Sequence, residues 1–107
     1  MADRRKSIVW SADARADIAL IWHYYADSAG PHTADNIVSE IADACRLIEE
    51  HPLGGRMRDE VRPGLRSVFV HPHVVFYRIT EDTPQVVRVL DTRRDLDQIF
   101  TAGFGDR

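Results

Sequence analysis

Lysine is almost missing from this chain of 107 residues: Lys6 is the only one among fourteen basic residues, and the rest are arginine. A GC-rich coding bias and selection for bidentate contacts account for that preference equally well. Cysteine is as scarce. Cys45 stands alone, which excludes an internal disulfide, and its place in an apolar helical stripe predicts a buried, inert thiol. No apolar run reaches the length of a membrane span, and Met1-Ala2-Asp3-Arg4-Arg5-Lys6 lacks the apolar stretch of a signal peptide. The expected location is therefore the cytoplasm, with no membrane partner. No phosphate-binding glycine loop, metal cage or activated nucleophile can be read from the order of residues. These absences point toward a binding protein, with no catalytic residue, metal or cofactor expected.

What is present suits one domain over residues 1–107 with a single modest core, at 44% hydrophobic and 29% charged residues. The net charge of −3 hides a segregation. Residues 11–50 carry eight acids against Arg15 and Arg46, whereas residues 56–95 carry eight arginines against six acids. The first half offers an acidic surface and the second a relatively basic one.

Ser7-Ile8-Val9-Trp10 reads as a short strand, and Ser11 as the N-cap of a helix with Asp13 in its first turn. Ala14, Ile18, Ile21, Trp22 and Tyr25 recur at helical spacing. Gly30-Pro31 stops that helix and starts another, whose stripe is Ile37, Ile41, Ala44 and Ile48, widened by Cys45 and Leu47. The acids Asp13, Asp17, Glu49 and Glu50 read as charges on solvated helix faces. His51-Pro52 ends the second helix, and Gly54-Gly55 makes a turn. Strands are expected over 65–71, 74–79 and 85–90, beside a short edge strand over 57–61 that is not counted in the order below, with a turn at Glu81-Asp82-Thr83-Pro84 and a helical turn or strand extension over 95–100. The fold class is α+β: an N-terminal strand, then an antiparallel two-helix hairpin packed on a small antiparallel sheet, in the order β-α-α-β-β-β.

The strand-like segments carry arginines among apolar residues: Pro52-Leu53-Gly54-Gly55-Arg56, Gly64-Leu65-Arg66-Ser67, Phe76-Tyr77-Arg78, Arg88-Val89-Leu90 and Arg93-Arg94-Asp95. Such an array predicts an anionic partner. A single arginine of this kind often only covers apolar surface or pairs with a nearby acid, and Arg78 and Arg88 have acids close in sequence. His71-Pro72-His73 sits at a hairpin tip without cysteine, so a structural role is preferred to a metal site.

In this order and spacing, with Ser11-x-x-Ala14-x-x-Asp17-Ile18, Tyr25, Gly30, Gly55-Arg56-x-Arg58-x-Glu60 and the arginine motifs above, the chain resembles the RelE/ParE toxins of bacterial type II toxin–antitoxin systems. The likeness runs over residues 8–100 and is greatest to the ParE branch. It implies a toxin held inactive in a hetero-oligomer by a cognate antitoxin whose C-terminal segment wraps its surface. ParE-like members inhibit DNA gyrase by stabilising its cleaved DNA complex; RelE-like members are ribosome-dependent mRNA interferases. The tyrosine near the C-terminus of several interferases falls on Phe100, and their loop arginine near Val74, which favours the gyrase reading. The alternatives are a RelE-like interferase and a degenerate paralogue that only binds antitoxin. Arg93 and Arg94, supported by Arg56, Arg58 and Arg66, are expected to contact the target. Trp22, Tyr25, Arg78 and Arg88 are expected to contact the antitoxin. Where the family often has histidine and glycine after the last strand's Val-Leu, this chain has Asp91 and Thr92.

Overall fold

Ser11 joins the two layers of the protein in the computed structural model, which describes residues 7–93. Its side chain accepts from the Ala14 amide at 3.0 Å, capping the first helix, and donates to the Val87 carbonyl at 2.9 Å. Its own amide donates to the Val86 carbonyl at 2.9 Å. One residue thus fixes where the helix starts and where it sits on the sheet.

The elements are β1 (Val9–Trp10), α1 (Ala12–Ala29), α2 (Pro31–Glu50), a single 3₁₀ turn (Pro52–Gly54), β2 (Arg56–Met57), β3 (Arg66–Val70), β4 (His73–Thr80) and β5 (Thr83–Asp91). Gly30 closes α1 and opens α2 at φ 95, a left-handed conformation that glycine adopts without strain. Pro31 takes the first position of α2, where a missing amide costs no hydrogen bond.

The strands form one sheet in the order β1-β5-β4-β3-β2. Strands β2 to β5 pair antiparallel, as expected, but β1 joins β5 in parallel. A parallel pair needs a long crossover, which the helices and the intervening strands supply. The edge strand expected over 57–61 is only two residues long, because the chain turns away after Met57. Strand β4 runs into β5 through Glu81 and Asp82 alone, both at positive φ, so the turn is tighter than expected and Pro84 lies inside β5.

The helices bury Ala14, Ile21, Ile41, Cys45 and Ile48 against Val75, Tyr77, Val86 and Val89. Leu47, expected to widen the α2 stripe, is 59% exposed, since it lies about 100° round the helix from Ile48. Burial pushes the Cys45 thiol up to about 12, with the negative charge of Glu49 adding to it. A second cluster, Leu65, Val74, Phe76, Val87 and Leu90, packs with Val61. Alternation along β4 puts Val74 and Phe76 on the face opposite Val75 and Tyr77, so both faces of the sheet are apolar. A register shift falls between Phe76 and Tyr77. It leaves Val87 without a partner in β4, and Val86 and Val89 then share one cluster while Val87 and Leu90 share the other.

Candidate functional site

Arg88 of the array reaches from β5 to α1. Its Nε donates to Asp17 Oδ2 at 2.7 Å and its Nη2 to Oδ1 at 2.9 Å, while the Val89 amide donates to the same Oδ2 at 2.9 Å. Both side chains are largely buried, 14% and 8% exposed. Asp17 is therefore not the solvated helix charge expected. It is a buried carboxylate that clamps α1 to the bulged part of β5, and removing one partner of such a pair typically costs about 3–5 kcal/mol. The fork of Arg88 is engaged inside the fold.

Arg66 is engaged too. Its Nη1 donates to the carbonyls of Leu53 and Gly55, each at 3.0 Å. The neighbouring Tyr77 hydroxyl donates to the Pro52 carbonyl at 2.6 Å and accepts from the Gly55 amide at 2.9 Å. A Cβ on Gly55 would overlap the Tyr77 ring, lying 2.7 Å from Cε1. Burial raises the Tyr77 phenol pKa, partly offset by the Gly55 hydrogen bond and the Arg66 charge. The Pro52-to-Arg56 motif is thus a loop seated on Tyr77 and Arg66. Arg78 donates to Gln85, its partner across β4 and β5, at 3.1 Å.

Arg56 and Arg58 lie elsewhere. With Ser67, Phe69, Val74, Phe76 and Thr92 they line a hollow of about 380 Å³. Its Val74 and Phe76 belong to the sheet face turned away from the helices. Arg58 lies 6.0 Å from the Phe76 ring centre and pairs with Glu60 at 2.8 Å. Phe69 is 62% exposed at its rim. Cations, hydroxyls and aromatic faces together suit contact with an anionic, partly apolar partner.

Arg93 follows Thr92, yet its side chain turns to the helix side, where Nη2 donates to the Tyr25 hydroxyl at 3.3 Å. Asp91, fully buried, accepts from the Arg93 amide at 2.7 Å and pairs with its guanidinium at 3.1 Å. That carboxylate raises the Arg93 pKa, through its hydrogen bond first and its charge second. The expected target arginines therefore do not form one patch: Arg56 and Arg58 share the hollow, Arg93 lies on the helix side of the sheet, and Arg66 is tied to the 3₁₀ turn. Arg94 and Phe100 lie outside the described residues, as does the element expected over 95–100.

On the hairpin, the Trp22 indole donates to Asp35 across α1 and α2 at 2.8 Å. Tyr25 is half-buried, its ring edge-on to His73 with centres 6.0 Å apart. A groove of about 250 Å³ lined by Trp10, Arg15, Ile18, Val38 and Ala42 runs along the hairpin. His73 is buried and His71 is exposed beside Phe69, so the two rings do not converge. Among the described residues, no group of three or more His, Cys, Asp or Glu could hold a metal ion. No helix among them is long and apolar enough to cross a membrane.

The chain and its fold match known proteins. The family model described as the ParE toxin of the type II toxin–antitoxin system, parDE, matches residues 8–96. The chain belongs to the ParE toxin family. Toxin ParE1 of Mycobacterium tuberculosis is 38% identical over 89 residues, covering 82% of this chain and 91% of that protein. Toxin ParE1 of Caulobacter vibrioides is 34% identical over 80 residues, covering 75% and 82%. Among solved structures, the chromosomal ParDE toxin–antitoxin system from P. aeruginosa contains a chain that superposes with a TM-score of 0.74 at 23% identity, covering 83% of this chain and 98% of that one. At that identity the likeness shows the shared fold.

Within this ParE-type toxin, sequence reasoning missed Asp17, Tyr77 and Asp91. Asp17 lay in the recognised Ser-x-x-Ala-x-x-Asp-Ile pattern, but nothing local named a partner 71 positions away. Tyr77 lay in Phe76-Tyr77-Arg78, where the arginine carries the charge and the tyrosine reads as one more apolar strand residue.

Proposed function

We propose that this toxin acts by binding DNA gyrase and holding its cleaved DNA complex, without chemistry of its own, and that a cognate antitoxin neutralises it in a toxin–antitoxin hetero-oligomer. Membership in the ParE family, through a match over residues 8–96, carries the reading. The hollow with Arg56 and Arg58 supports it, because cations, hydroxyls and an exposed aromatic ring supply contact. General acid–base cleavage of RNA would need a titratable group within hydrogen-bond reach of the reacting atoms. Arg93, with Arg94 after it, offers a second contact.

For the antitoxin, the apolar groove along the hairpin suits the apolar face of a helix, with Trp22 and Tyr25 on the same hairpin. An extended acidic segment then complements the arginine-bearing sheet. Co-expression with the neighbouring reading frame is expected to yield a complex that survives high salt.

The deciding experiment pairs two assays on purified toxin: supercoiling of relaxed plasmid by gyrase, and ribosome-dependent cleavage of mRNA. Inhibited supercoiling with accumulated cleaved DNA, and intact mRNA, is the expected result. Cut mRNA with unaffected gyrase overturns it in favour of an interferase. Neither effect, with antitoxin binding retained, identifies a paralogue that keeps only that interaction.

A further inference from the structure

Asp91 ends β5, where the chain leaves the sheet, yet it has no exposed surface. Its Oδ1 accepts from the Arg93 amide at 2.7 Å and from Arg93 Nε at 3.3 Å, and its Oδ2 accepts from Arg93 Nη2 at 3.1 Å. The Tyr25 hydroxyl, reaching in from α1, accepts from the same Nη2 at 3.3 Å. Between them Thr92 is tied to the Pro72 carbonyl by its amide at 3.0 Å and its hydroxyl at 3.1 Å. The backbone leading into the Arg93 side chain is therefore held, and so are two of its three nitrogens. Even so, 59% of that side chain faces solvent.

A strand end needs only the amide bond to Asp91, which any aspartate or asparagine could supply. The two-point fork and the tyrosine hydroxyl go beyond that need. They remove the freedom of a long side chain that otherwise samples many rotamers, and they leave Nη1 to carry the remaining donors. We infer that Asp91 and Tyr25 are positioning residues for Arg93, fixing its guanidinium so that the Nη1 edge meets an anionic group of the target already oriented. This rests on the reading that Arg93 faces the target. Ordering such a side chain only on association would weaken binding roughly two- to tenfold.

Two measurements test it. In nitrogen-15 NMR of the purified toxin, the Arg93 Nε–H is expected as a resolved, slowly exchanging peak, assigned by its loss in Arg93→Ala. Asp91→Asn keeps the amide bond but should return that peak to the solvent-averaged envelope. In graded induction, the toxin level giving half-maximal growth arrest should rise about two- to tenfold for Asp91→Asn and for Tyr25→Phe. In an Arg93→Lys background, which keeps charge without the fork, the Asp91→Asn effect should shrink. A free, averaged Nε–H in the wild type overturns the inference. So does unchanged arrest by both variants when Arg93→Ala has lost it, with the target reading left standing. If the peak behaves as expected but Arg93→Ala still arrests growth fully, the target reading fails, and the fork is only a clasp at the strand end. Should Asp91→Asn unfold, as circular dichroism would show, Tyr25→Phe decides alone, since it removes one hydroxyl and keeps the ring against His73.

Discussion

Replacing Asp17 by alanine strikes the point where the two layers are most dependent on each other. The substitution removes three acceptor contacts at once: two from the Arg88 fork, at 2.7 and 2.9 Å, and one from the Val89 amide at 2.9 Å. Because both side chains are mostly buried, water restores little of the loss. Removing one partner of a buried ion pair costs about 3–5 kcal/mol, a large share of the roughly 5–15 kcal/mol that holds a single domain folded. At roughly 4 °C or more per kcal/mol for a domain of this size, the melting temperature should fall by about 12 °C or more. Urea unfolding followed by circular dichroism reads this directly. Asp13→Ala, exposed in the first turn of the same helix, serves as control and should cost less than about 1 kcal/mol. Adding Arg88→Met to Asp17→Ala should recover part of the loss, because the buried charge goes with its partner. A loss below about 1 kcal/mol for Asp17→Ala would refute the clamp.

Tyr77→Phe should cost about 1–3 kcal/mol in urea unfolding, since it leaves the Pro52 carbonyl and the Gly55 amide without their hydroxyl partner. Gly55→Ala should be destabilising by a similar amount through overlap with the Tyr77 ring. Cys45 sets a pH limit: with its folded pKa near 12 and a reference of 9.0, the unfolded chain loses the thiol proton first. Stability should therefore fall as pH rises above about 9, by up to about 1.4 kcal/mol per pH unit, a slope missing in Cys45→Ala. Iodoacetamide at pH 8.5 should leave the folded protein unmodified and label it in urea. Arg93→Ala combined with Arg94→Ala should abolish growth arrest while circular dichroism and antitoxin titration stay nearly unchanged.

Local features were legible because they depend on neighbours a few residues apart. The Ser11 cap, the Gly30-Pro31 break and the apolar spacing of both helices specify the hairpin before any tertiary contact exists. That the chain turns back near Pro72 and again after Thr80 follows from the same short-range chemistry, but the structure puts the turns at His71-Pro72 and Glu81-Asp82, where Pro72-His73 and Glu81 to Pro84 were expected. The roles of the arginines were not legible. Each looks alike in sequence, but Arg88 meets a carboxylate 71 residues earlier, Arg66 meets two carbonyls of a turn, and Arg93 meets Asp91 and Tyr25.

By itself, then, the sequence determined the α+β class, the helical hairpin, the antiparallel meander and the kinship with ParE toxins, since periodicity, caps and motif order are properties of the chain alone. Tertiary structure decided the parallel seat of β1, the second apolar face of the sheet and the division of arginines between scaffold and surface. The bulge at Val87 shows why. One unpaired residue shifts the two-residue alternation of β5, puts Val89 on the face of Val86 and Leu90 on that of Val87, and accompanies the docking of Arg88 onto Asp17. No local pattern encodes such a slip, because its benefit appears only when helix and sheet meet.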